Sequence, residues 1–314
     1  MDRKSFRGWL RQLGELSAQQ LERLKARLAD GEGGGNACDW VNRHARECLA
    51  CPHCQAAHVQ RWGRESGIQR YRCGHCHRTF NALTGSPLAG LKCREAWADY
   101  AKAMIDGCSL RTAAKRSGVH LSTAFRWRHR LLQKPAQAQD TELHNIVEAD
   151  ETYFLESFKG RRHLPRPARH RGGSAAQRGL SAEQIPVLVV EDREGHHFDA
   201  VIPKVDLPTV GCLLAQVLAP DALLCSDGAG VYRATARQFN LAHESINVSA
   251  GQYVRQQVFH VQHVNAYDSR LKQWMRRFNG VATQYLTNYL GWRRLIERCA
   301  GKLTPEIFVR HAMG

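Results

Sequence analysis

Four cysteines in two pairs constrain this chain more than any other feature: Cys51-Pro-His-Cys54 and Cys73-Gly-His-Cys76, with eighteen residues between them. Each C-x2-C step is a tight knuckle presenting two thiolates to one point. Two knuckles complete the tetrahedral shell of one structural Zn2+. Residues 60–63 and 69–72 read as short strands, so the spacing predicts a zinc ribbon over residues 45–92. Redox thiols are the other reading. Eight of the eleven cysteines crowd into the first 108 residues of a chain expected to stay in the cytosol, which argues for metal rather than disulfides. Four thiolates leave no place for His53, His75 or His77. Cys48 and Cys93 read as bystanders, and Cys212, Cys225 and Cys299 as small buried hydrophobes.

Lysine and arginine number 45 against 29 acids, a formal charge of +16. A compact protein so charged repels itself unless a polyanion neutralises it, and nucleic acid is the partner this predicts. Anionic membrane is the competitor, but no apolar run approaches the roughly 18 residues a spanning helix needs. The first residues, Met1-Asp2-Arg3-Lys4-Ser5-Phe6, lack the apolar stretch of a signal peptide. The expectation is a cytoplasmic, nucleoid-associated protein with no membrane partner. Within the ribbon, Arg61, Arg64, Arg70, Arg72, Arg78 and Lys92 interleave with Trp62, Tyr71 and Phe80, which suits phosphate contact and base stacking. A solvated basic face is the alternative.

Residues 1–35 read as an amphipathic helical arm ending in a glycine-rich break. Residues 93–134 are helical in pattern, with turn signals at Gly107 and Gly118. Segments 109–119 and 121–130 fit a helix-turn-helix whose joint is filled by Val119, Phe125 and Leu132. Its outward face carries Arg126, His129 and Arg130, placed to reach phosphates or base edges. An ordinary helical hairpin is the alternative. Residues 135–139 read as a linker. Beyond it, strands are expected at 145–154, 185–191, 197–202, 222–226 and 242–248, and helices at 209–218, 232–239, 266–278 and 281–299. That order implies a mixed five-stranded sheet flanked by helices, over residues 143–300. The insertion 157–182 contains no acid; its Lys159, Arg161, Arg162, Arg169 and Arg171 would clamp a nucleic-acid backbone, unless the segment is plain disorder.

Three acids stand out in the sheet region. Asp150 ends an apolar run read as a strand, and Asp227 ends another, just before Gly228. Asp268 lies on a segment of helical period, with Asn265 three residues before it and Lys272 four after it on one face. Two strand-end acids and a helix acid that converge can hold Mg2+ or Mn2+ against a phosphate for in-line displacement. Salt-bridged surface is the alternative. His260 and His263 either touch nucleic acid or stand in as ligands.

Taken together, the chain resembles bacterial insertion-sequence transposases, specifically the zinc-ribbon group of DDE-type enzymes with an RNase H-like catalytic domain. The motifs that carry the resemblance run in order through residues 45–300: the ribbon and Thr79-Phe-Asn-Ala-Leu-Thr-Gly-Ser-Pro-Leu88, Arg126-Trp-Arg-His-Arg130, Glu148-Ala-Asp150-Glu-Thr-Tyr-Phe154, Ser226-Asp-Gly228, His263-Val-Asn265-Ala-Tyr-Asp268-Ser-Arg-Leu-Lys272, and residues 280–292. The likeness implies an α+β multidomain protein in which Asp150 and Asp227 are the first two catalytic acids. Such enzymes usually place glutamate third, where this chain offers Asp268, with Asn265 close by. The implied activity is metal-dependent cutting of element ends to expose a 3′ hydroxyl, then joining of that hydroxyl to target DNA. Its partners would be double-stranded DNA, both element ends and target, and further copies of the chain. A non-catalytic DNA-binding regulator and a structure-specific RNase H-like nuclease are the rival readings.

Overall fold

The computed structural model describes residues 36–47, 49–170, 172–173, 175–176, 181–247 and 250–314, with Gly8, Leu16, Ser17, Gln20 and Leu21. The arm expected over residues 1–35 lies, apart from those five positions, outside the described residues. The chain divides into two compact units, one of residues 1–106, 112–124 and 302–314, the other of 107–111 and 125–301.

The first unit holds helix α1 (Ala37–Glu47), strands β1 (Val59–Glu65), β2 (Ile68–Cys73) and β3 (Thr79–Asn81), and helix α2 (Trp97–Ile105). The strands form an antiparallel sheet with β2 in the centre. Helix α1 was not expected from the cysteine pattern. It forms because Cys38, Val41 and Ala45, with Trp40, make one buried stripe. Its Asn42 side chain donates to Gly67 O at 2.9 Å and accepts from Gln69 N at 2.9 Å, which ties it to the β1–β2 turn. Two of the three ribbon aromatics are not available to stack on bases. Tyr71 and Phe80 stack on each other at 5.7 Å and are buried, because they pair across the central and third strands. Only Trp62 of the three is exposed, at 46%, with the Arg72 guanidinium 4.8 Å from its ring centroid.

Helices α3 (Leu110–Arg116) and α4 (Leu121–Leu131) bracket Gly118, which takes φ +65° so that Val119 N can return to Ala114 O at 3.1 Å. Glycine suits this left-handed stop because it has no Cβ to clash. The buried stripe of α4 is Ala124, Trp127, Arg128 and Leu131. Phe125 is therefore 41% exposed instead of filling a joint. His129 does not face outward either: it stacks on Tyr285 at 3.8 Å. Residues 135–139 are no simple linker. Helix α5 (Gln133–Gln137) seats Pro135 in its first turn, where the missing N–H has no helical partner to lose.

The second unit is built on strands β4 (Ile146–Leu155), β5 (Gln184–Asp192) and β6 (His197–Val201), helix α6 (Leu207–Val217), strand β7 (Leu223–Asp227), helix α7 (Gly230–Phe239), strand β8 (Ala242–Ile246), and helices α8 (Gln262–Met275) and α9 (Leu286–Arg298). A last helix, α10 (Pro305–Met313), belongs to the first unit and lies beyond the region read from sequence. The sheet order is β6-β5-β4-β7-β8, antiparallel from β6 to β4 and parallel from β4 to β8, the mixed five-stranded sheet expected. Asp206 caps α6 by accepting from Thr209 N at 3.0 Å. Val147, Ala149, Leu188, Val190 and Leu224 from the sheet pack with Val210, Leu214 and Tyr232 from α6 and α7. Helix α8 starts earlier than expected, so Asn265 lies inside it. Residue 281 starts no helix: Asn279 and Gly280, at φ +51° and +89°, break the chain before a 3-10 turn at Thr283–Tyr285. No helix among the described residues is long and apolar enough to cross a membrane.

Candidate acid cluster and metal centres

The knuckles bring Cys51 Sγ to 3.6 Å from Cys76 Sγ and Cys54 Sγ to 3.5 Å from Cys73 Sγ. All four sulfurs lie within 4.8 Å of one another. A tetrahedral ZnS4 shell with a Zn–S length of about 2.3 Å has edges of about 3.8 Å, so the donor set fits that ion. The N–H of Cys76 and that of His75 donate to Cys73 Sγ at 3.4 and 3.3 Å and pull its thiol down to about 6 against the effect of burial. Side-chain alternation explains the rest of the small core around them, Tyr71 and Phe80 with Cys51 and Cys73.

Alternation also explains the acid cluster. On β4, Val147 and Ala149 point into the apolar core, so Glu148, Asp150 and Thr152 share the opposite face, against which α8 packs. Asp150 does not end its strand, as the sequence suggested. β4 continues to Leu155 paired with β5, but its parallel partner β7 is last paired at Ala149↔Ser226. Asp150 and Asp227 thus follow the same last rung, on adjacent strands, where the parallel ladder stops at the carboxyl end of β7. Open sheets commonly present functional groups there. Asp268 reaches the same region from the buried face of α8, 8% exposed.

Desolvation dominates the electrostatics. Burial, with a smaller push from Asp227, raises Asp150 to about 6 while Lys272 pulls it down. Burial raises Asp268 to about 7, opposed by Lys272 and reinforced by Asp150. Asp150 therefore feels Asp227, and Asp268 feels Asp150, although the ligand atoms of the three do not all gather within 4.8 Å. Asp268 Oδ1 and Thr152 Oγ1 are buried and neither has a hydrogen bond of good geometry, although the Thr152 hydroxyl lies close enough to Asp268 to lower its carboxyl. An orphaned carboxylate oxygen among mutually repelling acids is what a divalent cation would relieve. Asn265 and Lys272 are both exposed on α8. Lys272 acts on Asp150 and Asp268 by its charge, and the backbone carbonyl of Asn265 accepts from Ser269 Oγ at 2.9 Å.

Several residues here went unassigned in the sequence. Glu151 accepts from Tyr232 Oη at 2.6 Å, and burial raises it to about 7. Glu148, fully buried, accepts from the His263 and Val264 N–H groups at 2.8 and 3.3 Å and so caps the first turn of α8. Its Oε1 also meets Arg193 at 2.7 Å, His263 Nδ1 at 2.8 Å and His260 Nδ1 at 3.1 Å. Glu148, His260 and His263 have the makings of a metal site, but the Arg193 guanidinium already supplies the cation there. Both histidines thus have a definite place, holding the helix that carries Asp268. The signal for Glu148 was the i, i+2, i+4 run of polar residues, Glu148, Asp150 and Thr152, on one face of the strand.

The basic residues are used unequally. Lys159 Nζ donates to the carbonyls of Phe278, Asn279 and Gly280 at 3.0, 3.1 and 2.7 Å, and thereby closes the chain beyond α8. Arg169 donates to Glu156 O at 2.6 Å and pairs with Glu183 at 3.1 Å. Arg161 and Arg162 are exposed, the former 5.3 Å from the Phe158 ring centroid; Arg171 lies outside the described residues. On α4, Arg126 is exposed and Arg130 half-buried.

Residues 142–293 match the ISXO2-like transposase domain family. A protein of Halobacterium salinarum described as an uncharacterized protein in transposable element ISH50 is 29% identical over 276 residues, covering 85% of this chain and 92% of its own. Two solved structures, a pre-cleavage Mos1 transpososome and the Mos1 mariner paired end complex with Mn, are 14% and 13% identical over 68% and 63% of this chain and 78% and 75% of theirs. Their TM-scores are 0.23 and 0.21, too slight a likeness to carry an argument.

Proposed function

We propose that this chain, which belongs to the insertion-sequence transposases, cuts the ends of its element and joins the freed 3′ hydroxyl to target DNA. The observation that carries this reading is a set of acids from two adjacent strands and one helix within the family-matched segment: Asp150 and Asp227 just beyond the last β4–β7 rung, and Asp268 on α8, with burial raising Asp150 and Asp268. Asp150 and Asp227 would hold Mg2+ or Mn2+ from the sheet side, and Asp268 from the helix side. When bound, such ions supply an activated water or hydroxyl and stabilise the leaving oxygen. The chain's own contribution is placement. The Glu148 cap fixes the start of α8, and with it the height of Asp268 against β4. Lys272, exposed beside the acids, offers a cation to an incoming phosphate.

The cysteine cluster would hold a structural Zn2+ that fixes the ribbon. Arg126 and Arg130 on α4 would read element ends, with α3 and α4 acting as a helix-turn-helix. Arg161 and Arg162 are the loop residues best placed for backbone contact, since Lys159 and Arg169 are engaged within the protein. Two ends must be held together before joining, so the working form would be a homo-oligomer on double-stranded DNA.

The test is cleavage and binding of end DNA by Asp150→Asn, Asp227→Asn and Asp268→Asn. Each should abolish Mg2+- or Mn2+-dependent cutting yet bind the end as well as, or better than, the parent, because a carboxylate near phosphate repels it until a cation intervenes. Cutting at the parent rate by any of the three removes that acid from the site. Cutting by all three overturns the reading.

A further inference from the structure

Arg128 is 1% exposed, and no carboxylate among the described residues lies within ion-pair distance of it. It donates instead to Cys108 O at 2.9 Å and Tyr289 Oη at 3.4 Å, and its charge lies 5.7 and 5.1 Å from the Phe278 and Trp292 ring centroids. Its Nε has no partner. A buried cation with no counter-ion is costly unless something else answers the charge. Dipoles and π faces do so in part. Arg128 is also one of the residues that line a cavity.

That cavity, about 460 Å3 and wholly within the second unit, is lined by Arg128, Phe125, His129, Tyr285, Tyr289 and the exposed Arg161, among others. Its volume lies within the ~300–1,000 Å3 of small-ligand sites. The walls are rings set for stacking: His129 lies 3.8 Å from Tyr285 and nearly parallel to it, and Phe125 meets them edge-on at 4.6 and 5.5 Å. Burial and the neighbouring Arg128 hold His129 at about 4, so its ring is neutral at physiological pH. Asn288 Nδ2 is 3.1 Å from its Nδ1 and can donate to it. Phe125, 41% exposed, leaves a ring open to solvent where a solvated helix face would carry a polar side chain.

Flat neutral rings beside a buried arginine that has no carboxylate partner among the described residues, and an exposed second one, fit a ligand with a π face and acceptor or anionic groups. An apolar molecule would leave Arg128 unanswered, and a free phosphate would leave the rings unused. We propose that the pocket receives one nucleobase turned out of the DNA duplex, stacked among Phe125, His129 and Tyr285, with its acceptor edge toward Arg128 and its phosphate toward Arg161. This rests on the reading that the chain acts on DNA ends. Extruding a base costs unstacking and unpairing, least where the pair is already weakened, and stacking on protein rings offsets that cost.

The test uses the full chain and duplexes of its own element end. One position at a time, across the terminal repeat and its flank, is mispaired, with the displaced base either present or abasic. At one position the parent should bind the base-containing duplex about 5- to 150-fold more tightly than the abasic one. Phe125→Leu, which keeps an apolar side chain without the π face, and Tyr285→Ala should both bring that ratio close to one. A parent ratio close to one at every position, or variants that keep the preference, overturns the pocket. Metal-dependent cutting of fully paired ends, measured in parallel, separates the two ideas. Cutting without any base preference removes the pocket alone, whereas neither binding nor cutting of ends removes the transposase reading and the pocket with it.

Discussion

Asp268 is 8% exposed, has one carboxylate oxygen without a well-formed hydrogen bond, and is raised by burial to about 7. Asp150 and Glu151 are raised by burial to about 6 and about 7. All three folded values lie above the ordinary carboxylate range. Their contribution to stability is therefore complete below about pH 4 and is lost as the pH climbs through 6 and 7. The metal-free protein should melt at a lower temperature at pH 7.5 than at pH 5. Asp268→Asn should raise the metal-free melting temperature at pH 7.5, at about 2–4 °C for each kcal/mol recovered. It should also shrink the stabilisation that Mg2+ gives the parent. Thermal melts in EDTA and in Mg2+ would show this, and an unchanged melt would mean that the acid is not desolvated.

At the scale of elements, close packing rests on a few positions. A Cβ on Gly291 of α9 would sit 2.4 Å from Ala136 Cα and 2.5 Å from Pro135 O of α5. Backbone cannot yield there as a side chain can, so Gly291→Ala should destabilise by about 1–3 kcal/mol. Gly230→Ala on α7, where a Cβ meets nothing within 4 Å, should be neutral or stabilising by up to about 1 kcal/mol. Denaturant unfolding of the two variants makes the comparison. The ribbon depends on its knuckles instead: Cys73→Ser should lower bound zinc from one ion per chain to well below one, read by metal analysis of the purified protein. Full zinc in that variant would place the ion elsewhere.

Over the whole molecule, a net charge of +16 sets the response to salt. Arg161→Ala with Arg162→Ala should lower the slope of log affinity against log salt by about 0.9 for each phosphate no longer neutralised, about 1.8 for both. Discrimination between end and unrelated DNA should survive. Arg169→Ala should change the slope less, since its guanidinium is paired with Glu183. Binding titrations over a range of salt concentrations check both. A loss of discrimination at constant slope would reverse the division of labour between loop and helix α4.

What the sequence determined by itself was local or periodic. The spacing of Cys51, Cys54, Cys73 and Cys76 dictates two knuckles whatever the rest of the chain does. Two-residue and 3.6-residue periods located the five strands and most of the helices that make the mixed sheet. Asp227 and Asp268 stood out because a strand end and a helix face can be read within ten residues, and Asp150 because it follows an apolar run, although its strand continues to Leu155. Only the tertiary structure decided the partners. Glu148 meets His263 across 115 residues of chain, Pro135 is buried against a glycine of α9, and Phe125 is left exposed because α4 turns Ala124 and Trp127 inward. Spacing along the chain sets which face a side chain takes, whereas what that face meets depends on how distant elements pack. The desolvation that raises Asp150 and Asp268, and the ring-lined cavity beside Arg128, are products of that packing.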